Sequence, residues 1–242
     1  ASGHLHVVEY LSNQGASLID CDGRGHTALH IAAAWGHSYI IGFLIQNGAN
    51  AEVFDYDGYT PLHVAVKWGH LNVVQWLIGH ASGQSGITPL INVCDQSGNT
   101  PLHIAAIWGH LHIVEWLIQH GASLTNNDNE GHTPLHLAIR ANQLQVVQKL
   151  LQHHESVRPC EEEGHTPLHI AAELNKINIM KWLILEGAGL TDRDKEGKTP
   201  MHVAAAYGHL EILMYLLQQG VDLRECDAEG HELLHLAARN GH

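Results

Sequence analysis

One four-residue phrase, Thr-Pro-Leu-His, constrains this 242-residue chain more than any other feature. It stands at Thr60–His63, Thr100–His103, Thr133–His136 and Thr166–His169. It returns with single changes at Thr27-Ala28-Leu29-His30 and Thr199-Pro200-Met201-His202, and in worn form at Glu232-Leu233-Leu234-His235. The spacings from first copy to last are 33, 40, 33, 33, 33 and 33 residues. A fixed period of that length belongs to a stacked array in which each repeat contacts its neighbours, so chain length alone is no guide to domain number.

Local chemistry accounts for the phrase. The glycine two residues ahead of it (Gly58 and Gly98, for example) suits a turn position that needs positive φ. Thr then caps a helix, and Pro takes the first helical position, where its missing N–H costs nothing. The Leu and the alanines that follow point inward, and the small alanines let helices approach closely. The helix is expected to stop at Gly36, Gly69, Gly109, Gly208 and Gly241, or at Asn142 and Asn175, since Asn is the next residue able to end a helix left-handed. A second helix follows with apolar residues at helical spacing, as in Ile113-Val114-x-Trp116-Leu117-Ile118.

The phrase in this register resembles the ankyrin repeat, and the resemblance covers essentially the whole chain. It implies an all-α fold, an ankyrin-repeat solenoid of helix-turn-helix units joined by β-hairpin loops. Counted from the hairpin acid, one array is expected: a partial repeat at 1–21, full repeats at 22–54, 55–94, 95–127, 128–160, 161–193 and 194–226, and a partial repeat at 227–242. Half repeats at both ends without a polar cap lead us to expect a segment of a longer array. The resemblance also implies that the phrase histidines hydrogen-bond the Thr hydroxyl and neighbouring backbone, locking adjacent repeats. A second recurring set (His4, His37, His70, His110, His209 and His242) is read as scaffold too.

Charge limits the partners. The chain holds 12 basic and 25 acidic residues, a formal net charge of −13. Residues 1–121 contain only Arg24 and Lys67 as cations, which argues against a nucleic-acid partner, since phosphate backbones need clustered Lys and Arg. A protein partner with a basic or mixed surface fits better. Apolar runs fall short of the ~18 residues that a membrane span needs, so no membrane insertion is expected. A cytoplasmic chain is expected, with a nuclear one the alternative.

Two departures interrupt the period. Seven extra residues fall within 82–90, and insertions in such arrays sit in loops on one face. The second, His153-His154-Glu155 through Glu163, loses the usual helix end and replaces the turn Asp by Glu161, so a distorted acidic hairpin is expected there. Cys21, Cys94, Cys160 and Cys226 recur in alternate repeats. Helices pack about 8–10 Å apart, so alternate repeats stand about 16–20 Å apart. A disulfide needs Cα atoms within about 7 Å, and free thiols are expected.

His231-Glu232-Leu233-Leu234-His235 matches H-E-x-x-H, a zinc-protease pattern. Register argues otherwise. His235 is the seventh phrase histidine, and His231 sits ahead of the helix where His26, His132 and His165 sit. A zinc hydrolase is therefore only a remote alternative; no enzyme, cofactor or metal site is expected.

The aromatics form two series. Tyr10, Phe43, Trp76, Trp116, Trp182 and Tyr215 share one second-helix position, broken only by Lys149, and are read as core. Trp35, Trp68, Trp108 and Tyr207 precede the residue ending the first helix, a position that in ankyrin arrays belongs to the concave, partner-binding face. Exposed Trp and Tyr are favoured interface anchors. Phe54, Tyr56 and Tyr59 at the hairpin tips extend this surface, and Lys67, Ile107 and Arg140 vary between repeats beside it. The expected function is recognition of a partner protein through the concave face and hairpin tips. The alternative is a cytosolic structural or regulatory segment of a larger scaffold, channel or enzyme complex.

Overall fold

The structure is a computed structural model that describes residues 3–81, 90–153 and 164–242. The insertion expected from Ser82 onward, and the irregular hairpin with His154, Glu155, Cys160 and Glu161, lie outside the described residues. Fourteen α-helices are present among those described, in two compact units, Ala1–Asn129 and Glu130–His242.

The first unit holds α1 (Leu5–Asn13), α2 (Ala28–Ala34), α3 (Ser38–Gln46), α4 (Pro61–Lys67), α5 (Leu71–Ala81), α6 (Pro101–Trp108) and α7 (Leu111–Gln119). The first helices of successive repeats, α2, α4 and α6, pack side by side, and the second helices α1, α3, α5 and α7 form a layer against them. The alanines permit this approach: Ala33, Ala65, Ala105 and Ala106 are completely buried. Leu29, Leu62 and Leu102 from the phrase and Ile41, Val74 and Val114 from the second helices are all buried in the core. Burying each such side chain stabilises by roughly 1.5–3 kcal/mol.

The second unit repeats the plan with α8 (Pro134–Arg140), α9 (Leu144–Gln152), α10 (Pro167–Glu173), α11 (Ile177–Leu185), α12 (Pro200–Ala206), α13 (Leu210–Gln218) and α14 (Leu233–Asn240). Here α8, α10, α12 and α14 lie side by side, with α9, α11 and α13 behind them.

Each first helix begins as the phrase dictates. Thr occupies the N-cap in extended backbone, and His rather than the usual Glu completes the capping box at the third helical position. The Thr amide donates to His Nδ1 at 2.9–3.2 Å in six copies. That fixes the tautomer: Nδ1 accepts, so the proton sits on Nε2. From there His30, His63, His169 and His202 donate to the carbonyls of Tyr59, Val93, Lys198 and Glu225 at 3.0–3.1 Å. These carbonyls belong to the next hairpin, so each histidine caps its own helix and locks the following repeat.

Helix ends follow the expected residues. Gly36, Gly69, Gly109, Gly208 and Gly241 take φ between 71° and 80°, and Asn142 and Asn175 take φ of 59° and 55°. A Cβ on Gly69 would also meet the His110 ring at 2.8 Å, so this glycine is required twice over. The hairpins are organised by their acid. In five of them one Asp oxygen (Asp22, Asp55, Asp95, Asp194, Asp227) accepts the amides two and four residues on, at 2.8–3.0 Å. Strand pairing within them is minimal: isolated bridges at Cys21–Thr27 and Cys226–Glu232 are the pairing present among the described residues. Adjacent hairpins are tied to each other instead, as by Tyr56 N–H to Arg24 C=O at 3.1 Å and Ala228 N–H to Glu196 C=O at 3.0 Å.

Candidate partner-binding face

The face is built at the ends of the first helices. Trp35 and Trp68 are the C-caps of α2 and α4, and Trp108 is the last residue of α6. These helices are neighbours in the first unit, so the three indoles stand in the same register on successive repeats, roughly 8–10 Å apart. They are 56%, 60% and 51% exposed. Large aromatic surface of this kind is normally hidden in a folded chain unless something else covers it.

Lys67 joins the series to the hairpins. Its ammonium lies 4.9 Å from the Tyr59 ring centroid and 5.9 Å from that of Trp108, a cation held between two π faces from different repeats. Tyr59 is half-buried, and burial pushes its phenol above the ordinary value, with Asp95, Asp57 and Asp55 adding to the effect. Ile107 is half-buried beside Trp108. At the hairpin tips Phe54 and Tyr56 are exposed, and Tyr56 Oη lies 3.9 Å from Cys21 Sγ. The surroundings are acidic. The backbone amides of Arg24 and His26 hold the Asp22 carboxyl below the usual carboxylate range, so it is ionised near neutrality.

In the second unit Tyr207 is the C-cap of α12, is 52% exposed, and donates its hydroxyl to Glu173 at 3.2 Å. Arg140 is exposed at the end of α8, with Nη1 3.4 Å from His132 Nε2. The structure thus groups Trp35, Trp68, Trp108, Tyr59, Lys67 and Ile107 on the first unit, and leaves Tyr207 and Arg140 on the second.

The other aromatic series lies elsewhere than its regular recurrence suggests. Tyr10, Phe43, Trp76, Trp116, Trp182 and Tyr215 are not core: Tyr10 is exposed and the others are half-buried. They lie on the flank of the second helices, where Trp76 stacks on His80 at 4.3 Å and Trp116 on His120 at 3.7 Å. The position one residue before (Gln75, Glu115) is polar, and the position one residue after (Leu77, Leu117) carries the core.

The zinc-like motif is a worn phrase in three dimensions as well. His231 lies outside α14 with Nδ1 3.3 Å from an Asp227 oxygen, Glu232 is the N-cap, and His235 Nδ1 accepts the Glu232 amide at 3.2 Å. Among the described residues no group of three or more His, Cys, Asp or Glu side chains is arranged to hold a metal ion.

One role escaped the sequence. Histidines after the helix-ending glycine reach backwards: His70, His110 and His209 donate Nε2–H to the carbonyls of Ala34, Lys67 and Glu173 in the preceding repeat, at 2.8–3.1 Å. Recurrence at that position was the available signal, but the direction of the bond was not legible. His110 thereby anchors the backbone of Lys67 in the candidate face.

Comparison with known proteins agrees with this architecture. The family model described as ankyrin repeats (3 copies) matches residues 1–89, 82–159, 124–194 and 168–242. The chain belongs to the ankyrin repeat family. Among solved structures, the human ASB11 ankyrin repeat domain is similar with a TM-score of 0.71 and 26% identity, over 88% of this chain and 92% of that one. No curated protein gives a significant match. Ankyrin repeats are generally protein–protein interaction modules, and the fold is typically non-catalytic. Among the described residues no helix is long and apolar enough to cross a membrane.

Proposed function

We propose that this chain recognises a partner protein through the concave face formed by its first-helix ends and hairpin tips. The observation that carries the reading is the run of Trp35, Trp68 and Trp108, each more than half exposed, in one register on three successive repeats. Trp is the residue most enriched among interface hot spots. Phe54, Tyr56, Tyr59, Lys67 and Ile107 complete the surface on the first unit; the second unit carries Tyr207 and Arg140 at the ends of its own first helices. We read the chain as one array in the repeat frames set by the hairpin acids. The partner has a basic or mixed surface, because the first 121 residues offer only Arg24 and Lys67 as cations. The exposed thiols of Cys21, Cys94 and Cys226 suit a reducing compartment, cytoplasm or nucleus.

The test is affinity capture with mass spectrometry, using the wild-type chain and a Trp68→Ala/Trp108→Ala variant in parallel. A partner seated on this face should be lost from the variant by ~30-fold or more, the effect of removing about 2 kcal/mol of hot-spot energy. Unchanged capture by a variant with unchanged circular dichroism would remove the reading.

A further inference from the structure

A different face of the first unit carries a second site. Position five of each second helix holds a long unbranched side chain in six of seven copies: Glu9, Gln75, Glu115, Gln148, Lys181 and Met214. The seventh is Gly42, in the middle of α3. Glycine inside a helix costs about 1 kcal/mol relative to alanine. No backbone requirement explains it, because Gly42 is absent from the positive-φ glycines. A groove of about 360 Å³, walled by α1, α3 and α5, opens beside it.

The lining gives the groove a definite chemistry. Tyr39, Phe43 and Trp76 supply three aromatic rings, the His80 imidazole stacks on one face of the Trp76 indole and leaves Tyr39 and Phe43 as the rings open to a ligand's face, and Glu9 supplies a carboxylate. A Cβ on Gly42 would stand 3.3 Å from Trp76 Cζ2, so the indole edge borders the groove close to the bare glycine. Among the described residues no Lys or Arg is paired with Glu9; residues 1–121 provide only Arg24, in a hairpin, and Lys67, which lies against the Tyr59 ring. Aromatic rings with an unpaired carboxylate form a receptor for a flat cation, which stacks on the rings and forms an ion pair with the acid.

We propose that the Gly42 groove binds the guanidinium of an arginine side chain presented by a basic peptide. The planar, weakly hydrated guanidinium suits this setting better than a compact, strongly hydrated ammonium. The site uses none of the residues of the Trp35–Trp108 face, so it stands or falls separately.

The experiment follows the Trp76 indole N–H resonance, assigned by its loss in Trp76→Phe, while acetyl-Gly-Arg-Gly-amide is titrated into the full chain. The control peptide carries citrulline, which keeps the shape of arginine and removes its charge. A saturable shift is expected, with the citrulline peptide ~5-fold weaker or more. Gly42→Gln restores the side chain that other repeats carry, and should abolish the shift while raising the melting temperature. Glu9→Gln, which leaves packing unchanged, should weaken binding to the level of the citrulline peptide. No saturable shift, equal binding of the two peptides, or undiminished binding by Gly42→Gln or by Glu9→Gln overturns the proposal.

Discussion

His63 shows how much one residue carries in this fold. Its Nδ1 accepts from the Thr60 amide and faces the Thr60 hydroxyl at 3.0 Å, while Nε2–H reaches Val93 C=O. The ring is completely buried. Replacing it with Ala leaves buried polar groups unpaired at both ends, each costing about 1–3 kcal/mol, so urea denaturation of His63→Ala should show a loss of ~3 kcal/mol or more. A loss under ~1 kcal/mol would mean that the lock contributes little. The helix-ending glycines allow a finer comparison at the same scale. Gly69 and Gly121 both take positive φ, 77° and 89°, but only at Gly69 would a Cβ meet a neighbour, the His110 ring. Ala at Gly121 should cost about 1–2 kcal/mol for the left-handed backbone alone. Ala at Gly69 should cost measurably more, and equal costs would show that the ring simply moves aside.

At the scale of the element, first helices were readable because their signals are chemical: a capping Thr, a Pro that can start but not continue, a Gly or Asn that can turn left-handed. Even the exceptions at Asn142 and Asn175 were legible. Second helices were read less well. Helical spacing finds residues that recur, and both the buried stripe and its flank recur. The flank at Trp76 and Trp116 recurs as regularly as the core does, and Lys149 in the same series marks it as a flank, since a charged residue is tolerated only where water reaches. The hairpins depend on one side chain each. Asp95 Oδ1 accepts both the Ser97 and Asn99 amides. Asp95→Ala should therefore destabilise by about 2 kcal/mol, whereas Asp95→Asn, which keeps an acceptor oxygen, should lose less than half of that. Equal losses in thermal or urea melts would show that the charge, not the turn, matters. The candidate face was legible in its residues but not in its wiring: Lys67 sits between Tyr59 and Trp108 only because neighbouring repeats bring them together.

At the scale of the whole molecule the phrase histidines act in sum. Burial holds His30, His63, His169 and His202 below the ordinary imidazole value; backbone carbonyls and nearby carboxylates such as Asp55 and Asp95 pull the other way and do not win. Nδ1 is already committed as an acceptor from the Thr amide, so a second ring proton would displace that bond. The unfolded chain takes up protons near pH 6.5, and the folded chain refuses them until lower pH. Stability is thus complete above about pH 6.5 and declines as pH falls below it, the unfolded state binding more protons. Urea midpoints measured from pH 7.5 to 5 should fall steadily, with a slope corresponding to uptake of up to four protons on unfolding, one for each of these rings. His63→Gln should lower stability at pH 7.5 and reduce that slope by up to one proton. A midpoint independent of pH across this range would show that the locks survive protonation, and would require the rings to find a different partner for Nδ1.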